Sequence, residues 1–285
     1  NPRQYEPFIL ISLLFSIALI PILLTKRKPP KFKKTSSIKI KELFRISPFG
    51  SVSMFCTGFI LAPIFSLLSV YAITMKLTIF ETSLLLVGVM LAGALFQWPI
   101  GSLSDKFDRR KIIIGSSIIA VIFALSAILV SGMGNSLPNL FMESTVSFNY
   151  FSTTIDKSKL FVFLILLAGV TLPLFSLNLA LVNDYIPKEK FVAAGGGLNI
   201  IFGLGAIAGP LMCSTLMHFL GPNGFFVHIL IFLFTIIIFG FYRLNQREIE
   251  NNPESTFTPL PTSITPLGIE LDPDTGVDLS NIEEK

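Results

Sequence analysis

The sequence predicts an all-α membrane protein in which seven apolar spans pack as a helical bundle. Three observations carry that reading. The 285 residues are 52% hydrophobic and 14% charged, with a mean hydropathy of +0.72, whereas soluble domains carry about 25% charged residues. The apolar residues fall into runs of about 20, which at about 1.5 Å per residue cover the roughly 30 Å of a hydrocarbon core. With the loops taken alternately, 18 of the 22 Lys and Arg fall on one side and 4 on the other. The rich side is cytoplasmic by the positive-inside rule.

In chain order, the first span is 7–25. It begins almost at once after Asn1, and the first residue is not Met, so the chain reads as a fragment of a longer protein. No basic region followed by a small-residue cleavage site opens it, so no cleavable signal peptide is expected. A basic stretch follows at 26–47, with Pro29-Pro30 near its start; it reads as a cytoplasmic linker able to lie on anionic headgroups. Six spans come next, roughly 48–73, 79–103, 112–132, 160–183, 192–220 and 225–242, and residues 48–242 form one unit. The loop 133–159 is rich in Asn, Ser, Thr and Phe and reads as an outer insertion. The tail 243–285 is acidic and proline-bearing, which predicts disorder in the cytoplasm. Cys56 and Cys213 lie in apolar runs and read as small buried side chains.

The stretch Gly101-Ser-Leu-Ser-Asp105-Lys106-Phe-Asp108-Arg109-Arg110-Lys111 organises the rest. Asp105 stands at the C-terminal end of one span, where the helix dipole is already negative. Arg109, Arg110 and Lys111 open the next, where it is positive. Each sign sits at the end that helix stability avoids, at several tenths of a kcal/mol. Membrane orientation and a partner across the turn account for both.

The pattern Gly-x-Leu-x-Asp-Lys-x-x-Arg-Arg-Lys resembles the signature loop of the major facilitator superfamily of secondary transporters, through Gly101, Leu103, Asp105, Lys106, Arg109 and Arg110. Asp108 stands where the family usually has glycine; if the backbone there is left-handed, Asp tolerates it better than most residues. A second stretch, Asn183-Asp184-Tyr-Ile-Pro187-Lys-Glu189-Lys190-Phe-Val-Ala-Ala-Gly195, resembles the Pro-x-x-x-Arg-Gly junction that this family repeats in each half, with Lys190 in the basic place. Pro187 is placed to open a helix, and Glu189 suits its first turn. The resemblance implies the sixth helix (1–25), the central linker (26–47) and the second six-helix half (48–242) of a twelve-helix fold. A missing N-terminal half of the same transporter is then the implied partner, beside the lipid bilayer and a small solute.

Gly205 and Gly209 are spaced four apart, which suits close helix packing, and Pro210 beside them suits a bend. Gly-x-x-x-Gly-Pro also resembles part of the motif of drug/proton antiporters in this family, which implies proton-coupled efflux. The glycines 195–197 sit inside an apolar span, which does not suit a dinucleotide loop. Gln97, Asn178 and Asn199 are the polar residues inside spans that suit a substrate cavity, with packing hydrogen bonds as the plainer role. Glu81, near an outer end, is a candidate proton carrier or a solvated mouth residue. His218 and His228 read as interfacial, and Trp98 as an interface anchor. No acidic or basic residue lies at the midplane of a span, so the substrate is largely apolar or the other half supplies the charge.

The expected function is secondary transport of a small solute by alternating access, in a cell membrane of the bacterial inner type. No enzyme activity, cofactor, metal site or nucleic-acid partner is expected. A seven-helix receptor or sensor, and a truncated, non-functional transporter remnant, stand as alternatives.

Overall fold

The computed structural model describes residues 5–24, 38–131, 157–187 and 190–244. The expected outer insertion, the acidic tail, Lys188-Glu189 and most of the basic linker lie outside the described residues. The chain divides into two compact units, residues 1–35 and 36–285.

The first unit holds α1 (Glu6–Leu23), an apolar helix of 18 residues. Ser12 and Ser16 return their hydroxyls to the carbonyls of Phe8 and Ser12, both at 2.9 Å, so the helix shows no unpaired hydroxyl there.

The second unit contains α2 (Ile40–Ile46), α3 (Pro48–Thr74), α4 (Ile79–Lys106), α5 (Arg109–Val130), α6 (Lys157–Thr171), α7 (Leu174–Asn183), α8 (Phe191–Leu220) and α9 (Gly224–Leu244). Counting α6 and α7 as one crossing, six helices are long and apolar enough to span a membrane. These are the six expected after the linker, and the protein is a multi-pass helical membrane protein. The first expected span is the shorter α1 of the other unit.

Two breaks depart from the sequence reading. The run 160–183 divides at Leu172-Pro173, because Pro173 has no amide to continue the ladder. Residues 40–46, inside the expected linker, form a helix whose Leu43 is fully buried. Leu43 fills the space beside Gly197, where a Cβ would meet its Cδ1 at 2.5 Å.

The core runs along α3, which packs on α7, α8 and α9. Against α8 the backbones themselves touch. A Cβ on Gly58 would lie 2.2 Å from the Phe202 carbonyl, one on Gly205 2.3 Å from the Phe55 carbonyl, and one on Gly209 3.0 Å from the Phe59 Cα. Small residues four apart give such a seam, and lipid tails offer no competing force against it. The packing role expected of Gly205 and Gly209 is therefore the one observed. Helix α8 is continuous from Phe191 to Leu220 through Pro210.

Pro63 lies inside α3 and removes the amide that would bond the Phe59 carbonyl. His228 of α9 takes that place: its Nε2 lies 2.8 Å from the Phe59 oxygen. A carbonyl only accepts, so Nε2 carries the proton. His228 is fully buried, beside the stacked rings of Phe59 and Phe232. This corrects the interfacial placement. The imidazole is inside because a proline one helix away leaves it an acceptor.

Candidate functional site

The charged turn folds tightly because its own residues cap it. Helix α4 ends at Lys106 and Phe107 is extended. Asp108, at φ −53°, is the N-cap of α5 and its Oδ1 accepts the Arg110 amide at 2.9 Å. The position where the family usually has glycine is thus not left-handed here, and a short carboxylate suits it. The same carboxylate pairs with Arg110 through Oδ2 at 3.0 Å. Asp108 also offsets the unfavourable dipole at the start of α5.

Arg109 is 5% exposed and sits where three helices meet. Its Nη2 donates to Asp105 Oδ1 of α4 at 3.2 Å. Its Nη1 donates to Asp184 Oδ1, just beyond α7, and to the Ala180 carbonyl within α7 at 3.2 Å. A buried guanidinium needs its donors answered, and one carboxylate from each side answers them. Asp184 is 11% exposed at its side chain and Asp105 31%. The Asp184 arm is therefore the anchor, and the Asp105 arm is the one solvent reaches.

The partner expected across the turn from Asp105 is Arg109, which also reaches Asp184 of the second sequence stretch. Gly101 is buried under the turn, and Lys106 is exposed at its rim. Lys190 does not meet the turn: its Nζ lies 3.6 Å from Glu42 of α2. Glu189 lies outside the described residues, and helix α8 begins at Phe191 rather than at Pro187. Glu42 was not singled out in the sequence, since nothing local marks α2 as packed against α8.

Two of the residues expected to suit a substrate cavity, Asn178 and Gln97, make hydrogen bonds between helices. Asn178 is fully buried, and its Nδ2 donates to Thr57 Oγ1 of α3 at 2.9 Å. The Thr57 hydroxyl in turn donates a hydrogen bond to the Ser53 carbonyl at 2.7 Å. Gln97 donates to Ser176 Oγ at 3.3 Å, tying α4 to α7. Asn199 is half-buried on α8. Glu81 closes a capping box with Thr78: the carboxylate accepts the Thr78 amide at 2.7 Å, and Thr78 Oγ1 accepts the Glu81 amide at 3.2 Å. The Thr-x-x-Glu spacing was the signal for that role.

The arrangement holds the end of α4, the start of α5 and the end of α7 together through one buried guanidinium. A family model described as Major Facilitator Superfamily matches residues 5–155, just over half of the chain. An uncharacterized MFS-type transporter, YcaD, of Escherichia fergusonii is 20% identical over 221 residues, which cover 77% of this chain and 51% of that protein. The proteins of the same name from Salmonella paratyphi B and Salmonella newport are 20% identical over 213 residues, 74% of this chain and 49% of theirs. The chain spans about half the length of the curated relatives it matches. No solved structure matches it.

Proposed function

The chain belongs to the Major Facilitator Superfamily, and from that premise we propose that it serves one half of a secondary transporter that moves a small solute by alternating access. The observation that carries this is the Arg109 clamp, with one buried carboxylate arm and one partly exposed arm. A buried anchor keeps the half-bundle rigid while it rocks. The exposed arm, Asp105, is the group that meets the opposite half when that face closes. A contact made in one state and lost in the other shifts the balance between them.

The rest of the reading follows from the same residues. The basic residues of the turn support a cytoplasmic location for it, at an inner-type cell membrane. The second half of the cavity comes from another six-helix bundle, since the matched relatives run to about twice the matched length. Among the described residues no charged side chain lies at the midplane of a span, so a largely apolar solute suits this half. The Gly-x-x-x-Gly-Pro resemblance around Gly205, Gly209 and Pro210 supports proton-coupled efflux. Glu81, already bound in its capping box, is a weaker choice of proton carrier than a group from the other half.

The test is Asp105→Asn in membrane vesicles holding the full-length transporter. Uptake or efflux should slow at least several-fold while the amount inserted stays the same. Equal initial rates for variant and parent would remove Asp105 from the switch.

A further inference from the structure

We propose that α2 is a clip that holds the first two turns of α8 helical, and that α8 loosens at Gly195-Gly196-Gly197 when the clip comes off. The inference concerns α2 and α8 alone and stands whether or not Asp105 gates transport.

The start of α8 is weak by itself. Gly195, Gly196 and Gly197 follow one another within its first two turns, and each helical glycine lowers the helical equilibrium by about five-fold against alanine. Lys190, the N-cap, has no side-chain oxygen to accept an amide, and no acidic residue stands in the first turn. A cation at that end also opposes the helix dipole. Helix α8 nevertheless runs unbroken from Phe191, with Gly195 and Gly197 buried.

Two contacts from α2 supply what the α8 sequence lacks. Leu43 is fully buried and fills the space that Gly197 leaves. Glu42 brings a carboxylate to 3.6 Å from Lys190 Nζ and so answers the adverse charge. Both side chains of that pair are more than a third exposed, so it contributes little and Leu43 carries the clip. Helix α2 depends on α8 in return. Seven residues are too few for a helix to persist alone in water, and Leu43 is its one buried residue. Two segments that are each marginal alone are therefore helical together. A contact that rests on one side chain can break without unfolding the bundle, because the glycine seam of α8 against α3 lies two turns further on, at Gly205 and Gly209. The chain reaches α2 from the earlier part of the basic stretch, so a pull along that stretch arrives at α2 first and at α8 through it.

The test is hydrogen–deuterium exchange of the full chain in detergent, read at the amides of residues 194–199. Leu43→Ala should speed their exchange roughly ten-fold and leave residues 205–212 of the same helix unchanged. Leu43→Val, a smaller truncation, should give the same pattern at a few-fold. A Cβ on Gly196 would meet nothing within 4 Å, so Gly196→Ala fits and stiffens the stretch. Added to Leu43→Ala, it should recover about five-fold of the loss. Gly203→Ala has the same open space but lies beyond the three glycines, and should recover none. Unchanged exchange at 194–199 in both Leu43 variants would overturn the clip. Equal recovery by Gly203→Ala, or equally faster exchange at 205–212, would overturn the local hinge, because α8 would then open as a whole.

Discussion

At the scale of single residues, burial decides which charges matter. Arg109 has two carboxylates, and they are unequal: Asp184 is nearly enclosed and Asp105 is open to solvent over 31% of its side chain. Removing one partner of a buried pair strands the other, at about 3–5 kcal/mol. Exposed pairs contribute about 0–1 kcal/mol. Asp184→Asn should therefore lower the unfolding midpoint of the bundle clearly, while Asp105→Asn should shift it little. Equal shifts would mean that the two arms carry equal load. A second prediction lies at Lys76, the non-glycine residue with positive φ, +58°, among the described residues. It ends α3 with the Leu77 amide bonded to the Ala72 carbonyl at 3.1 Å and its own amide bonded to Ile73 at 2.9 Å, the geometry that glycine usually fills. Lys76→Gly should stabilise by about 1 kcal/mol; a loss of stability would show that the side chain does more than occupy a strained turn. The charged turn was legible in the sequence because its signs oppose the helix dipoles. Its deepest partner was legible only as a nearby candidate, since Asp184 lies 75 positions from Arg109 and no local pattern joins them.

At the scale of helices, the α3–α8 seam and the proline in α3 make separable predictions. Gly58→Ala places a methyl group 2.2 Å from a backbone oxygen, which cannot yield as a side chain can. Overpacking of this kind costs about 1–3 kcal/mol. Gly203→Ala, on the same α8 where nothing lies within 4 Å, removes a helical glycine and should gain about 1 kcal/mol. Opposite signs in one denaturation series are the expected result. The His228 contact is tested by a cycle: His228→Leu leaves the Phe59 carbonyl buried and unanswered, at about 1–3 kcal/mol. In a Pro63→Ala background the new alanine amide answers that carbonyl, so the same His228→Leu should cost less. No coupling between the two positions would separate the proline from the histidine. Helix length and order could be read from apolar runs, because lipid obliges every spanning segment to be helical. Helix α2 could not. It has seven residues, three of them charged if Lys41, Glu42 and Arg45 are counted, and the residue that seats it most deeply, Leu43, does so by filling the gap at Gly197. Gly58 escaped notice for a similar reason: Gly205 and Gly209 form a visible four-residue spacing, whereas their partner has no glycine four residues away in its own helix.

At the scale of the whole molecule, topology rests on charge and can be tested without altering the protein's core. Eighteen basic residues against four lead us to propose that the turn at 101–111 faces the cytoplasm. The two native cysteines are convenient for such a test: Cys56 is 2% exposed and Cys213 fully buried. A membrane-impermeant thiol reagent needs a thiolate that it can reach, so the parent chain should be silent and no cysteine need be replaced. Lys76 and Lys111 are both exposed, one at each end of the bundle. Lys76→Cys should react on intact cells, and Lys111→Cys only after the membrane is opened. The reverse pattern would put the signature turn outside, and the Asp105 switch would then close the outer mouth instead of the inner one.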